Sequence, residues 1–308
     1  MPSRTLPFFV LGVGVVVVSF AAILIRFAHA DGAPSLGIAA VRLAVAAVVL
    51  APFAWVHAGG EIHRLRPREL SLCALSGALL AVHFWAWITS LEHTSVASST
   101  ALVTTNPLWV ALASAVFLRE RPGTAAVAGI VLTLAGSVLV FAADASRDAG
   151  PGSAPMLGNA LALVGAVSAS GYLLVGRTLR ARVSLIAYIW LAYSSAAILL
   201  VAATIATGTS LSALPRTAWL FMIALGLGPQ LIGHTSFNWA LRRLTATFVA
   251  VAILGEPVGS ALLAYFLFGE KFSAMQFAGF ILLLAGIYVA ARNERLLRQE
   301  NTHPDQAA

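Results

Sequence analysis

Apolar residues in this chain come in long blocks of similar length, separated by short polar punctuation. The blocks cover residues 7–27, 35–56, 70–91, 96–117, 124–142, 156–176, 184–206, 216–240, 245–268 and 274–291. Crossing about 30 Å of hydrocarbon takes roughly 20 helical residues, so the pattern predicts an all-α membrane protein of ten transmembrane helices. The connections are a few residues long, apart from His57–Glu69 and the Gly/Pro/Ser-rich stretch Ala143–Pro155. No segment is left over for a soluble domain, which places the function between the helices.

Composition strengthens that reading. The chain is 59% hydrophobic and 10% charged, with a mean hydropathy of +0.89, whereas soluble domains carry about 25% charged residues. The first block also resembles a secretory leader, since Arg4 precedes it and "AHA" lies just before Asp31. It is longer than the roughly 7–15 apolar residues of a leader, and Arg26 interrupts the approach to a cleavage site, so it is read as the first helix. Charge then orients the bundle. With the N-terminus inside, fourteen of the nineteen basic residues, from Arg4 through Arg64, Arg119, Arg177 and Arg242 to Arg298, fall in cytoplasmic segments. The positive-inside rule therefore puts both termini in the cytoplasm. The net charge of +7 is spread over loops and tail rather than gathered in one patch, which argues against a nucleic-acid partner. The lone Cys73 excludes an internal disulfide and reads as packing.

A repeat organises the chain. "NPLWVALASAVFLRERPGTAAVAGIVLTLAGSVLV" from Asn106 and "EPVGSALLAYFLFGEKFSAMQFAGFILLLAGIYVA" from Glu256 align without a gap at an offset of 150 residues. Pro107 meets Pro257, Glu120 meets Glu270, Gly129 meets Gly279 and Gly136 meets Gly286. A duplicated five-helix unit gives halves 1–150 and 151–291, followed by a cytoplasmic tail, 292–308. Because five is odd, the second copy crosses the membrane in the opposite sense, the inverted-repeat plan of secondary transporters.

On these motifs (a Pro, an apolar stretch, a Leu/Phe-x-Glu-Arg/Lys turn and a final Gly-x6-Gly helix in each half) the chain resembles the EamA-type branch of the drug/metabolite transporter superfamily, and within it the YddG-type amino-acid exporters. The resemblance spans nearly the whole chain and is strongest over 91–141 and 241–291. It implies export of small metabolites, amino acids (aromatic or other neutral) foremost, by alternating access across a bacterial cytoplasmic membrane. Nucleobases or drug-like compounds are the alternative cargo, and a non-transport structural membrane protein is the remote one. The implied partners are a small-molecule substrate and the bilayer, with a monomeric or homodimeric state and no cofactor.

Candidate chemistry is sparse, so each polar residue in the apolar blocks carries weight. Glu256 is the only carboxylate deep in a block, and such a charge costs roughly 2.5–3.5 kcal/mol on insertion scales. Pro257 suits the first turn of a restarted helix, which sets Glu256 at the positive end of a half-helix. Asn106 and Pro107 form the corresponding break in the first half. Glu256 is read either as a helix cap or as the ligand of a substrate ammonium group or a proton. Gln230, His234 and Asn238 recur at i, i+4 and i+8, and His83 shares a face with Trp87; such stripes face protein or water rather than lipid, as cavity lining or as interhelical hydrogen bonds. Trp87, Trp190 and Tyr265 lie deep enough to stack on a substrate side chain, whereas Trp55, Trp109 and Trp219 fit the interfacial belts. Arg42, seven residues inside its block, is read as a structural partner of backbone carbonyls or of Glu256 in preference to a counter-ion for a substrate carboxylate. Glu120 and Glu270 read as caps or loop ion pairs, and the Gly129/Gly136 and Gly279/Gly286 pairs as surfaces of close helix contact within or between subunits. No H-E-x-x-H pair, Ser–Lys pair or cofactor motif supports an enzyme or a metal site.

Overall fold

The computed structural model describes residues 5–93, 99, 102–118, 123–145, 154–268 and 273–300, and no strand occurs among them. The Glu120–Arg121 and Glu270–Lys271 turns lie outside the described residues. The helices are α1 (Leu6–Val18), α2 (Phe20–Ala30), α3 (Ser35–Ile62), α4 (Pro67–His93), α5 (Asn106–Ala113), α6 (Thr124–Ala145) and α7 (Pro155–Leu179). They continue with α8 (Leu185–Ala206), α9 (Arg216–Leu225), α10 (Thr235–Ala240), α11 (Ala246–Ile253), α12 (Gly255–Phe268) and α13 (Ala274–Glu300). A π-helical turn, Ser114–Leu118, extends α5, and a longer π-helical segment, Gly226–His234, joins α9 to α10.

Among the described residues seven helical stretches are long and apolar enough to cross a membrane, and three shorter apolar helices accompany them at Asn106–Phe117, Thr124–Leu139 and Ala274–Ala290. The last helix runs on to Glu300, beyond the end of its apolar block at residue 291. Side-chain caps begin several helices, among them α13, where Ser273 Oγ accepts from Gln276 N at 3.2 Å. Ser184 Oγ accepts from Ala187 N at 3.3 Å and Thr245 Oγ1 from Phe248 N at 3.2 Å, each satisfying one of the orphan donors of a first turn.

Among the described residues the helices are also broken at Thr104–Thr105, just before Asn106, and three further interruptions have a local reason. At Ser19 the hydroxyl donates back to Val15 O at 2.8 Å, the i−4 bond that bends apolar helices. Pro229 has no N–H and lies within the π-helical segment of a glycine-rich run, Gly226, Gly228 and Gly233, where the missing donor loosens the ladder. Leu254 is a single turn residue between α11 and α12, three positions before Pro257.

Helices pair in a consistent scheme: α6 with α13, α4 with α7, α3 with α8, α1 with the π-helical segment and α10, α2 with α9, and α5 with α11. Shifting each helix by the 150-residue offset maps these pairs onto one another. Glycines set the closest approaches. A β-carbon added at Gly136 would stand 2.6 Å from Gly279 O, and one at Gly129 would stand 2.9 Å from Gly286 O. Numbers rise along α6 as they fall along α13, so the two helices run antiparallel. A related contact occurs elsewhere: Gly77 lies against the carbonyl of Ala192, and Gly226, 149 residues on, against that of Arg42, two carbonyls 150 residues apart. The glycine faces thus close on each other within one chain. Outward, Phe53, Trp55, Phe117, Phe266 and Tyr288 are among the many large apolar side chains left exposed, as a lipid-facing surface requires.

Candidate functional site

Where these crossings meet, a cavity of about 60 Å³ opens between Val18 and Ala21 of the first crossing, Arg42 of α3, His83, Phe84 and Trp87 of α4, Val103, Thr104 and Asn106 around the start of α5, Ala169, Tyr172 and Leu173 of α7, His234 and Phe237 around the start of α10, and Ile253 and Glu256 at the α11–α12 interruption. At roughly 10–15 Å³ of such space per water, several small polar bodies fit. Polar atoms in its wall lack protein partners: Arg42 Nη1, Trp87 Nε1, Asn106 Oδ1 and His234 Nδ1 are all buried without a hydrogen bond. A packing void would be apolar; this wall offers donors and acceptors.

The wall is built from residues in register. Val103 and Ile253, Asn106 and Glu256, Phe84 and His234, and Trp87 and Phe237 all line it, and each pair is separated by 150 residues. Phe84 and His234 touch each other edge-on, with ring centroids 5.2 Å apart. The positions correspond while the chemistry does not: an amide stands where its counterpart is a carboxylate, and a benzene ring where its counterpart is an imidazole.

Supporting contacts fix the wall. His83 is buried, its Nδ1 is 3.0 Å from Gly165 O, and its ring lies parallel to Trp87 with centroids 6.1 Å apart. Arg42, 1% exposed, donates from Nε to Gln230 Oε1 at 2.9 Å and lays its guanidinium over Phe84 at 3.9 Å, a cation–π contact. Asn106 receives Ser170 Oγ on its backbone carbonyl at 3.2 Å, leaving its side-chain oxygen to the cavity. Glu256 is half-buried and lies within the field of Arg42. Its backbone carbonyl accepts from Ser19 Oγ at 3.4 Å.

The Gln230–His234–Asn238 stripe keeps one side of the chain, Gln230 and Asn238 both meeting Tyr193, but its members play different parts. His234 reaches the cavity, Gln230 sits behind Arg42, and Asn238 Nδ2 donates to Tyr172 Oη at 2.5 Å and to His234 O at 2.9 Å. Pro107 is buried in the first turn of α5, and Pro257 occupies the first turn of α12. The structure does not bring Trp190 or Tyr265 into this cavity: Trp190 is half-buried on α8, and Tyr265 is 46% exposed beside Phe266. Arg42, Phe84, Tyr172 and Phe237 line it without having been singled out as site residues. The 150-residue offset, applied to His234 and Trp87, points to Phe84 and Phe237.

Beyond the end of α7, Arg180 is buried and donates to Asn238 O at 3.2 Å and to Val183 O. Burial, with Arg242 and Arg243 nearby, pushes its guanidinium down to about 10, so it stays charged at neutral pH and ties the end of α10 to α7.

Comparison with known proteins places these features in a group. The model of the EamA-like transporter family matches twice, over residues 6–142 and 156–292. A probable terminal-alkyne amino-acid exporter of Streptantibioticus cattleyicolor is 26% identical over 277 residues, 89% of this chain and 90% of that protein. An uncharacterized transporter of Archaeoglobus fulgidus is 27% identical over 198 residues, 63% of this chain and 67% of that one. A solved crystal structure superposes with a TM-score of 0.78 over 96% of this chain and 99% of its own at 23% identity, a likeness of fold.

Proposed function

The chain belongs to the EamA-like transporter family, and from that membership we propose that it exports amino acids, aromatic or other neutral ones, by alternating access through the cavity around Arg42, His234 and Glu256. It is a multi-pass membrane transporter rather than an enzyme. In the proposed arrangement ten crossings form two inverted halves, 1–150 and 151–291, in the cytoplasmic membrane of a bacterium, with both termini inside. The twofold family match, the antiparallel α6–α13 seam and the pairing of crossings support that arrangement, which is the one that rocks around a midplane site.

The observation that carries the reading is the composition of the cavity wall. One cation, Arg42, and one carboxylate, Glu256, share a small space with Phe84, Trp87, Tyr172 and Phe237. A zwitterion with an apolar side chain complements such a wall, since each charged end meets its opposite and the remainder meets ring faces. The amino-acid exporter among the relatives supports the same cargo. The aromatic content of the wall also suits a nucleobase or drug-like compound, the second reading. Flux from proteoliposomes loaded with labelled amino acids or labelled nucleobases, with and without a pH gradient, separates the two. Efflux of phenylalanine or leucine is the expected result; efflux of nucleobases with no amino-acid movement would favour the second reading.

A further inference from the structure

Resting on that export reading, we propose that Arg42 binds the substrate's carboxylate, so that the cavity selects metabolites with a free carboxylate over otherwise identical amides. A purely structural role would match Arg42 directly with backbone carbonyls or with Glu256. Glu256 acts on it only through its field, and its direct contacts are the side-chain amide of Gln230 through Nε and the face of Phe84, which together fix the plane of the guanidinium. Nη1 is buried with no partner, and the residue lines the cavity. A guanidinium held on one edge and one face, with a donor left over, is organised for the planar two-oxygen recognition that arginine gives carboxylates.

The symmetry of the frame supplies an independent argument. Ala192 stands 150 residues after Arg42, and the two carbonyls are met by Gly77 and Gly226 in the same manner. The helix contact that Arg42 takes part in is therefore made by alanine in the other half. Packing does not call for a charge at this position, and a buried guanidinium is costly in apolar surroundings. Glu256 and Asn106 Oδ1 supply acceptors in the same wall, so an ammonium group has its own partners while the carboxylate goes to Arg42. Trp87 Nε1, also unpartnered, is a second donor in that wall.

The test is efflux of phenylalanine against phenylalaninamide, which keeps the ammonium and the ring and replaces the carboxylate with a neutral amide. The natural chain is expected to favour the acid by about 10- to 100-fold, the range of a hydrogen-bonded charge. Arg42→Gln is expected to bring the two compounds to near parity, and Arg42→Lys to keep part of the preference with a raised KM. Should Arg42→Gln fail to fold, Arg42→Met combined with Gln230→Leu fills the same volume with apolar atoms and leaves neither partner unpaired, an exchange that buried ion pairs often tolerate; it too is expected to lose the preference. If either folded variant keeps the natural preference for the acid, the role of Arg42 is overturned while amino-acid export stands. If the natural chain moves neither compound nor any other amino acid, the export reading falls and this assignment falls with it.

Discussion

The two halves of the cavity wall hold the same places and different chemistry. Asn106, Phe84 and Trp87 in the first half correspond to Glu256, His234 and Phe237 in the second. Around them contacts recur at the same offset: Gly136 against Gly279 and Gly129 against Gly286, and α1 with the π-helical segment and α10 as α4 is with α7. A site with equal ends would suit a symmetric cargo. Each pair carries charge in one member only, Arg42 against Ala192 and Glu256 against Asn106, which gives the space a head and a tail. Frame and wall thus differ: the helix contacts match at the 150-residue offset, and the polar groups of the cavity do not.

The sharpest way to break this comparison is to make the halves alike. Glu256→Gln removes the charge and keeps size and hydrogen bonding, and it is expected to lower amino-acid efflux by about 10- to 100-fold, the effect of losing a hydrogen-bonded charge, with normal detergent-extracted yield. Full activity with unchanged pH dependence would reduce Glu256 to a helix cap.

The frame is tested next. Gly136→Leu and its counterpart Gly286→Leu each force a side chain into a backbone contact, and overpacking of this kind costs about 1–3 kcal/mol or more. Equal losses of melting temperature in the two variants, measured by thermal unfolding in detergent, are expected; a large loss in one alone would show that the α6–α13 seam is not equivalent in the two halves.

A smaller effect is expected at the ring pair on the cavity wall. His234→Phe makes Phe84 and its counterpart identical and removes a buried nitrogen without a partner. Flux is expected to fall by only a few-fold, since a neutral hydrogen bond contributes about 0.5–1.5 kcal/mol, and thermal stability is expected to hold. A complete loss of flux would make His234 an obligatory carrier of substrate or proton. The smallest change serves as a reference for the glycine series: Gly59 has no atom within 4 Å of an added β-carbon, so Gly59→Ala is expected to raise stability by up to about 0.5–1 kcal/mol through helix propensity.

The helices were legible because crossing a membrane demands length and apolarity, and both can be counted; Ser35–Ile62 and Leu185–Ala206 follow their blocks closely. The interruption at Ser19 was not legible, because a serine that bonds to its own helix looks like any other serine in an apolar run. The stripe from Gln230 to Asn238 was read as cavity lining or as interhelical hydrogen bonds; His234 lines the cavity while Gln230 and Asn238 bond other helices, a division that spacing alone does not carry. Asn106, Pro107, Glu256 and Pro257 stood out through the repeat, which compares the chain with itself and needs no tertiary knowledge. Arg42 was visible as a charge, but its free edge depends on Gln230, 188 residues away, and no local pattern carries that information. Trp190 and Tyr265 were picked by depth in their blocks, yet depth says nothing about which side of a helix faces inward.

The bend at Ser19 is tied to the restart of the chain at Glu256 from both sides. Ser19 Oγ reaches Glu256 O, and Ser260 Oγ donates to Ser19 O at 2.8 Å. Two elbows, in crossings from opposite halves, are thereby latched like the arms of a linkage. The turn of the first crossing and the backbone that carries the Glu256 carboxylate are thus one joint, held by contacts that lie outside the cavity wall.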